Sequence, residues 1–155
     1  MKLKYTKFQK IIEMITIILL FLVCAYLIVS WDTLPSKIPG HYNAAGIVDR
    51  WGNKNEILMI PIISFVLYGL LTIVSFFPTT WNVPVKITEE NRQFVYLNLK
   101  TMLLLIKMYI IILFAYIMYS NIKTQSLGIW FLPLVLIIFL GTIIYYVSKV
   151  CRKKR

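Results

Sequence analysis

The sequence predicts an all-α integral membrane protein of four helices, and three observations carry that reading. Of the 155 residues, 59% are apolar and only 15% charged, against about 25% charged in ordinary globular domains, and the mean hydropathy is +0.76. A water-soluble domain of this length would leave large apolar patches exposed. Second, four apolar runs reach the roughly 20 residues with which a helix crosses about 30 Å of hydrocarbon. They fall at about 11–30, 57–77, 101–120 and 128–147. Third, the basic residues flank these runs in the way that membrane topology distributes them. In a soluble chain, 17 Lys and Arg against 6 Asp and Glu, a net +11, would suggest nucleic acid; here that partner is excluded.

The first run follows Lys2, Lys4, Lys7 and Lys10, as a signal peptide would. Its length and the absence of a small-residue cleavage pattern at Leu27–Trp31 argue for a retained helix. The connection 32–56 has neither a helical nor a strand-like period, and unstructured connections of that length are uncommon unless functional. Pro35 and Pro39 stiffen it, 43–46 and 51–53 read as turns, and Ile38, Tyr42, Ile47, Val48 and Trp51 supply apolar anchors. An ordered cap over the mouth of the bundle is expected. Pro61 and Pro133 sit near one end of the second and fourth runs, where a missing backbone donor costs least.

The connection 78–100 contains the start of the third helix. Thr88 reads as its N-cap, with Glu89 and Glu90 in the first turn; from Thr88 to Ser120 such a helix is about 50 Å long. The chain closes in the basic tail 149–155, an anchor at an anionic leaflet. The tryptophans Trp31, Trp51, Trp81 and Trp130 fall near predicted helix ends, at the headgroup level.

Lys and Arg set the direction. The N-terminal flank, Lys86, Arg92 and Lys100, and Lys149, Arg152, Lys153, Lys154 and Arg155 lie on one side. Lys37, Arg50, Lys54 and Lys123 lie on the other. Both termini are therefore expected in the cytoplasm, with the 32–56 loop outside, in one membrane domain spanning residues 1–155.

The pattern Leu34-Pro35-x-x-Ile38-Pro39-x-His41-x-Asn43-x-x-Gly46-x-x-Asp49-x-Trp51-x-x-Lys54 closely resembles a bacterial membrane domain of unknown function. That domain also forms the N-terminal part of immunity proteins against sporulation-delaying, Sdp-type peptide toxins. The stretch Asn82-x-Pro84 to Asn91, with Tyr96 and Lys107, also resembles its members, so the likeness covers about residues 31–108. The full-length immunity proteins carry further membrane helices. The resemblance implies a bacterial cell-membrane protein that confers resistance to a membrane-active peptide. A second implication is that the protein traps a cytoplasmic regulator at the membrane.

Residue chemistry narrows where either activity would reside. His41, Asn43, Asp49 and Trp51 are the candidate contacts for a ligand or toxin on the outward loop. Other readings stay open for the polar three: His41 and Asn43 bonding loop carbonyls while Asp49 caps a turn or pairs with Arg50 or Lys54, or a weak divalent-cation site. One histidine gives no ordinary zinc ligand set, so neither metal nor cofactor is expected. A nucleophile with an evident base is lacking, so no enzyme is expected. Cys24 and Cys151 fall at different bilayer levels and should stay unbridged.

For a cytoplasmic regulator the contacts would be Lys86, Arg92, Lys153 and Lys154. Lys107 is an intramembrane charge, about 9 Å deep. It either snorkels, pairs with Glu13 on the first helix while Glu13 has Lys10 as a rival partner, or serves a small transporter or enzyme. A solute path through four short helices would need a homo-oligomer.

Overall fold

The computed structural model describes residues 3–152. It has four helices: α1 (Lys7–Ser30), α2 (Met59–Phe76), α3 (Arg92–Ile122) and α4 (Phe131–Arg152). Each is long and apolar enough to cross a membrane, and the protein is a multi-pass membrane protein. The all-α expectation needs one correction. Between α1 and α2 the chain forms an antiparallel hairpin, β1 (Lys37–Tyr42) and β2 (Val48–Asn53), flanked by 3-10 turns at Trp31–Thr33 and Lys54–Leu58.

Helix α1 opens on a capping box. Thr6 Oγ1 accepts from the Gln9 amide and Gln9 Oε1 accepts from the Thr6 amide, both at 3.1 Å, a device typically worth about 1 kcal/mol. The same Gln9 is fully buried, because its Nε2 reaches across to Leu97 O (3.1 Å) and Thr101 Oγ1 (2.8 Å) on α3. From there the buried residues of α1 run Ile12, Thr16, Leu20, Val23, Leu27 and Ser30. Steps of three and four keep them on one stripe. Helix α3 answers with Tyr96, Lys100, Leu104, Lys107, Ile111 and Met118, and it is the helix on which the other three pack.

Helix α4 leans on α3 through Tyr109 against Phe139 and Tyr116 against Phe131; Val150 is its one fully buried residue. Pro61 and Pro133 stand third in α2 and α4, inside the first turn, where no intrahelical hydrogen bond is lost.

The hairpin escaped the sequence reading because its burial does not alternate. Along β1, Ile38 and Pro39 are buried in succession, and along β2 Gly52 is the buried residue. Two bulges cause this. Pro39 pairs with Trp51, His41 with Arg50 and Tyr42 with Val48, so Gly40 and Asp49 are extra residues that bend the ribbon. Its base is sealed into the bundle: Leu34, Ile38, Ile57 and Ile60 join Val23, Leu27 and Met118 in one apolar cluster. Fully burying an aliphatic side chain of this size stabilises by about 1.5–3 kcal/mol.

Trp51 stands on a strand close to the start of the second span. It lies on β2, three residues before the 3-10 turn Lys54–Leu58 that leads into α2, and is 53% exposed. Trp31 and Trp130 flank helices, and Trp81 follows the 3-10 turn Pro78–Thr80 after α2, donating from Nε1 to Val74 O at 2.9 Å.

At the opposite end α3 starts at Arg92, four residues later than Thr88. Thr88 and Asn91 instead close a reciprocal turn: Thr88 Oγ1 accepts from the Asn91 amide (3.3 Å) and Asn91 Oδ1 from the Thr88 amide (2.9 Å). Asn91 Nδ2 also holds Lys86 O at 2.9 Å, so Glu89 and Glu90 fall in the turn outside the helix. Preceding that turn, Val83, Val85 and Ile87 pack with Val95, Leu99 and Val150, with Pro84 and Lys86 exposed between them. Cys24 and Cys151 are both free.

Candidate functional site

The hairpin does more than seal the bundle. Its bulged half leaves a cleft of about 570 Å³ against the ends of α2, α3 and α4, a size typical of small-ligand and peptide side-chain sites. Its lining combines polar side chains, His41, Asn43, Arg50, Glu56 and Asn121, with apolar ones, Ile60, Ile117, Leu127, Phe131 and Leu132.

Each polar residue is placed by a local cause. The Asp49 bulge turns its carboxylate onto His41, and Nδ1 and Oδ1 stand 2.6 Å apart. The contact engages Nδ1 and leaves Nε2, the other ring nitrogen, for another partner. Both side chains are largely in solvent, 64% and 41% exposed, so the pair contributes little to stability. The expectation that Asp49 pairs with Arg50 or Lys54 is thereby corrected.

Arg50 folds back instead, donating from Nη2 to Gly40 O (2.7 Å) and to Glu56 Oε2 (2.9 Å). A Cβ at Gly40 would meet the guanidinium at 2.8 Å and push the Arg50 side chain aside. Glu56 Oε1 in turn accepts from the Asn53 amide at 3.0 Å, and the Lys54 ammonium sits 4.9 Å from the Trp31 ring centre.

Asn43 builds the turn. Its Oδ1 accepts from the amides of Ala45 (3.0 Å) and Ile47 (3.1 Å), so it bonds backbone donors rather than the carbonyls expected. The tip is then tied to the α3–α4 connection. Leu127 N donates to Gly46 O at 2.8 Å, and the Tyr42 hydroxyl donates to Asn121 Oδ1 at 2.7 Å. Burial, with Tyr116 adding to it, pushes the Tyr42 phenol up to about 12. Gly46 has φ +72, and a Cβ there would lie 2.5 Å from Gly128 O.

His41 and Asn43 therefore share the cleft, Asp49 stands behind His41, and Trp51 is not among the lining residues. Arg50, Glu56 and Tyr42 complete the site. The sequence signal for them was slight: opposite charges six residues apart around a glycine, with the residues that Tyr42 meets lying some 80 positions away.

The other candidates lie at the far end or inside the bundle. Lys86 and Arg92 are exposed, and Lys153 and Lys154 lie outside the described residues. Lys107 does not snorkel; it is 1% exposed. Its Nζ donates to Glu13 Oε1 (2.7 Å) and Thr72 Oγ1 (2.9 Å) and lies 4.3 Å from the Tyr68 ring centre. The Tyr68 hydroxyl donates to the same Glu13 oxygen at 2.6 Å. Four residues thus join α1, α2 and α3. Among the described residues no group of three or more metal-ligating side chains gathers.

Two comparisons with known proteins give matches. In an alignment 97 positions long that covers 54% of this chain, it is 28% identical to an uncharacterised protein of Archaeoglobus fulgidus. The aligned stretch is 51% of that protein, so the chain spans about half the length of its relative. No solved structure matches. Residues 18–65, from mid-α1 through the hairpin to the first turns of α2, match the family described as "Domain of unknown function (DUF1648)".

Proposed function

We propose that this protein resides in the bacterial cell membrane with the hairpin outward and both termini in the cytoplasm, and that it protects its host from a membrane-active peptide. One observation carries the reading: the cleft is lined both by polar groups, His41, Asn43, Arg50 and Glu56, and by apolar ones, Ile117, Leu127 and Phe131. It sits at the end of the bundle, where an amphipathic peptide arriving at the bilayer would meet it. Sidedness is supported by the excess of Lys and Arg at the other end, and the immunity role by the Sdp-type resemblance of the loop. His41 and Asn43 hold the peptide's polar groups, Asp49 fixes the His41 ring from behind, and Trp51 adds an exposed ring on the outer strand. The protein acts by binding, without metal or cofactor; the lining residues include no serine, threonine or cysteine to serve as a nucleophile.

The test is a killing curve. Sensitive bacteria expressing the wild type or His41→Ala at matched membrane levels are challenged with a panel of membrane-active peptides. Protection by the wild type and not by the variant is expected. Because His41 is exposed, its loss should leave folding within about 0.5 kcal/mol. Equal protection by both would remove the cleft from the mechanism.

A second reading rests on the exposed Lys86, in the ordered loop packed by its apolar residues before α3, and the exposed Arg92 at the start of α3. It makes the basic end, with Lys153 and Lys154, a dock for an acidic cytoplasmic regulator. Charge reversal at Arg92, Lys153 and Lys154 would then release that partner from the membrane fraction. Transport or catalysis at Lys107 finds less support, since that ammonium is enclosed by its own partners.

A further inference from the structure

Hydrogen bonding in the cleft beneath the hairpin is one-sided. The carboxylate and amide oxygens that line it are already engaged. Glu56 Oε1 accepts from the Asn53 amide and Oε2 from Arg50, and Asn43 Oδ1 accepts from two backbone amides of its turn. Asn121 Oδ1 accepts from the Tyr42 hydroxyl at 2.7 Å, a shorter contact than that hydroxyl makes with Gln125 O, 3.2 Å. The donors are not engaged. Asn43 Nδ2 and Asn121 Nδ2 have no acceptor among the described residues, and Arg50 spends only Nη2, leaving Nε and Nη1.

Asn121 is the sharpest case. It stands on α3, lines the cleft and is 6% exposed. Tyr42 holds its oxygen, so its NH₂ is the end left open, and a buried amide donor ordinarily finds a partner. Asn43 is fixed in the same sense by the amides on its oxygen. The two ends of a peptide answer such a lining differently. An N-terminal ammonium brings only donors, whereas a C-terminal carboxylate brings only acceptors and follows a backbone carbonyl. Arg50 and Glu56 offset each other's charge at 2.9 Å, so hydrogen bonds do more of the selecting than net charge.

We infer that the cleft captures the C-terminal end of an apolar peptide. This rests on the peptide-binding reading above and gives the bound peptide a direction. The carboxylate and the carbonyl before it accept from Arg50, Asn43 Nδ2 and Asn121 Nδ2, and the last side chain lies among Ile117, Leu127 and Phe131. His41 Nε2 borders the same space and serves as donor or acceptor according to its tautomer.

Nuclear magnetic resonance of the full chain in phosphatidylcholine nanodiscs tests this, with N-acetyl-trileucine as the free acid and as its C-terminal amide. Affinity is read from the side-chain amide signals of Asn43 and Asn121. The acid is expected to bind about tenfold tighter than the amide, the effect of one charge-assisted hydrogen bond. Asn43→Asp keeps the oxygen that holds the turn and exchanges the donor for a second carboxylate oxygen. Read at Asn121, it should bring the ratio of acid to amide affinity to one or below, whereas a structural loss would weaken both forms alike and leave the ratio unchanged. Equal binding of acid and amide would overturn the C-terminal assignment while the killing curve still upholds peptide capture. Binding of neither form would also overturn it, and the killing curve would then judge the broader reading by itself. Decanoate shifting the same signals at equal or lower concentration would overturn the peptide source and assign the cleft to fatty carboxylates of the bilayer.

Discussion

Replacing Lys107 with methionine removes the ammonium but leaves Glu13 between three helices. In soluble proteins, taking one partner from a buried ion pair costs about 3–5 kcal/mol. Polar contacts between helices in bilayers average only about 0.6 kcal/mol, because separated helices also find partners. The geometry decides between these scales. Glu13 is 18% exposed and keeps the Tyr68 hydroxyl at 2.6 Å, so Lys107→Met should cost about 2–3 kcal/mol. The reverse change, Glu13→Gln, leaves an ammonium that is 1% exposed with Thr72 and a ring face, and should cost about 3–4 kcal/mol.

The double variant buries no charge and should be about 2 kcal/mol more stable than the sum of the single effects implies. Reversible unfolding in mixed micelles titrated with sodium dodecyl sulfate, followed by tryptophan fluorescence, measures all four corners of the cycle. Coupling below about 0.5 kcal/mol would refute the reasoning. It would mean that each side chain reaches water or headgroups by itself, as a snorkelling lysine does.

Other perturbations separate the hairpin from the bundle. Gly46→Ala places a Cβ against Gly128 O in a left-handed backbone and should cost about 2 kcal/mol, with faster hydrogen exchange at the Leu127 amide; unchanged exchange would contradict the tie. Ile38→Ala opens a cavity where the side chain is 1% exposed and should cost about 2–4 kcal/mol, with new proteolytic cleavage between residues 37 and 53. Because the folded state raises the Tyr42 phenol to about 12, its contribution is complete below about pH 10, the ordinary phenol value, and is lost as pH climbs from there through about 12. Tyr42→Phe should abolish that alkaline loss of stability, and a profile unaltered by the substitution counts against the buried hydroxyl.

How much of this was legible depended on whether the cause was local. The four helices follow from run length and hydropathy, which any stretch of sequence displays by itself. Lys107 and Glu13 stood out because charge is rare in such runs, although their mutual pairing needed the packing of α1 on α3. The hairpin was hidden: the bulges at Gly40 and Asp49 break the two-residue period, and its buried residues face the bundle only at its base. Proline and glycine in the loop did announce an ordered segment. They could not announce that Asp49 would turn to His41, since that direction is set by the bulge. Nor could Thr88 show that its turn closes on Asn91 before the helix begins, because the capping pattern reads the same in either case.

The junction at Glu13 also bears on how the chain is made. Its partner in the ion pair is 94 residues further along, and at typical synthesis rates of about 5–20 residues per second the carboxylate waits roughly 5–20 s for Lys107. During that interval α1 has emerged with a buried-face acid and no counter-ion, while the hairpin lacks Met118 to close its base. Biogenesis therefore favours a first helix that lingers at the insertion machinery, or at the polar interface, until α3 enters. The third helix is the step that converts three loosely held segments into a bundle.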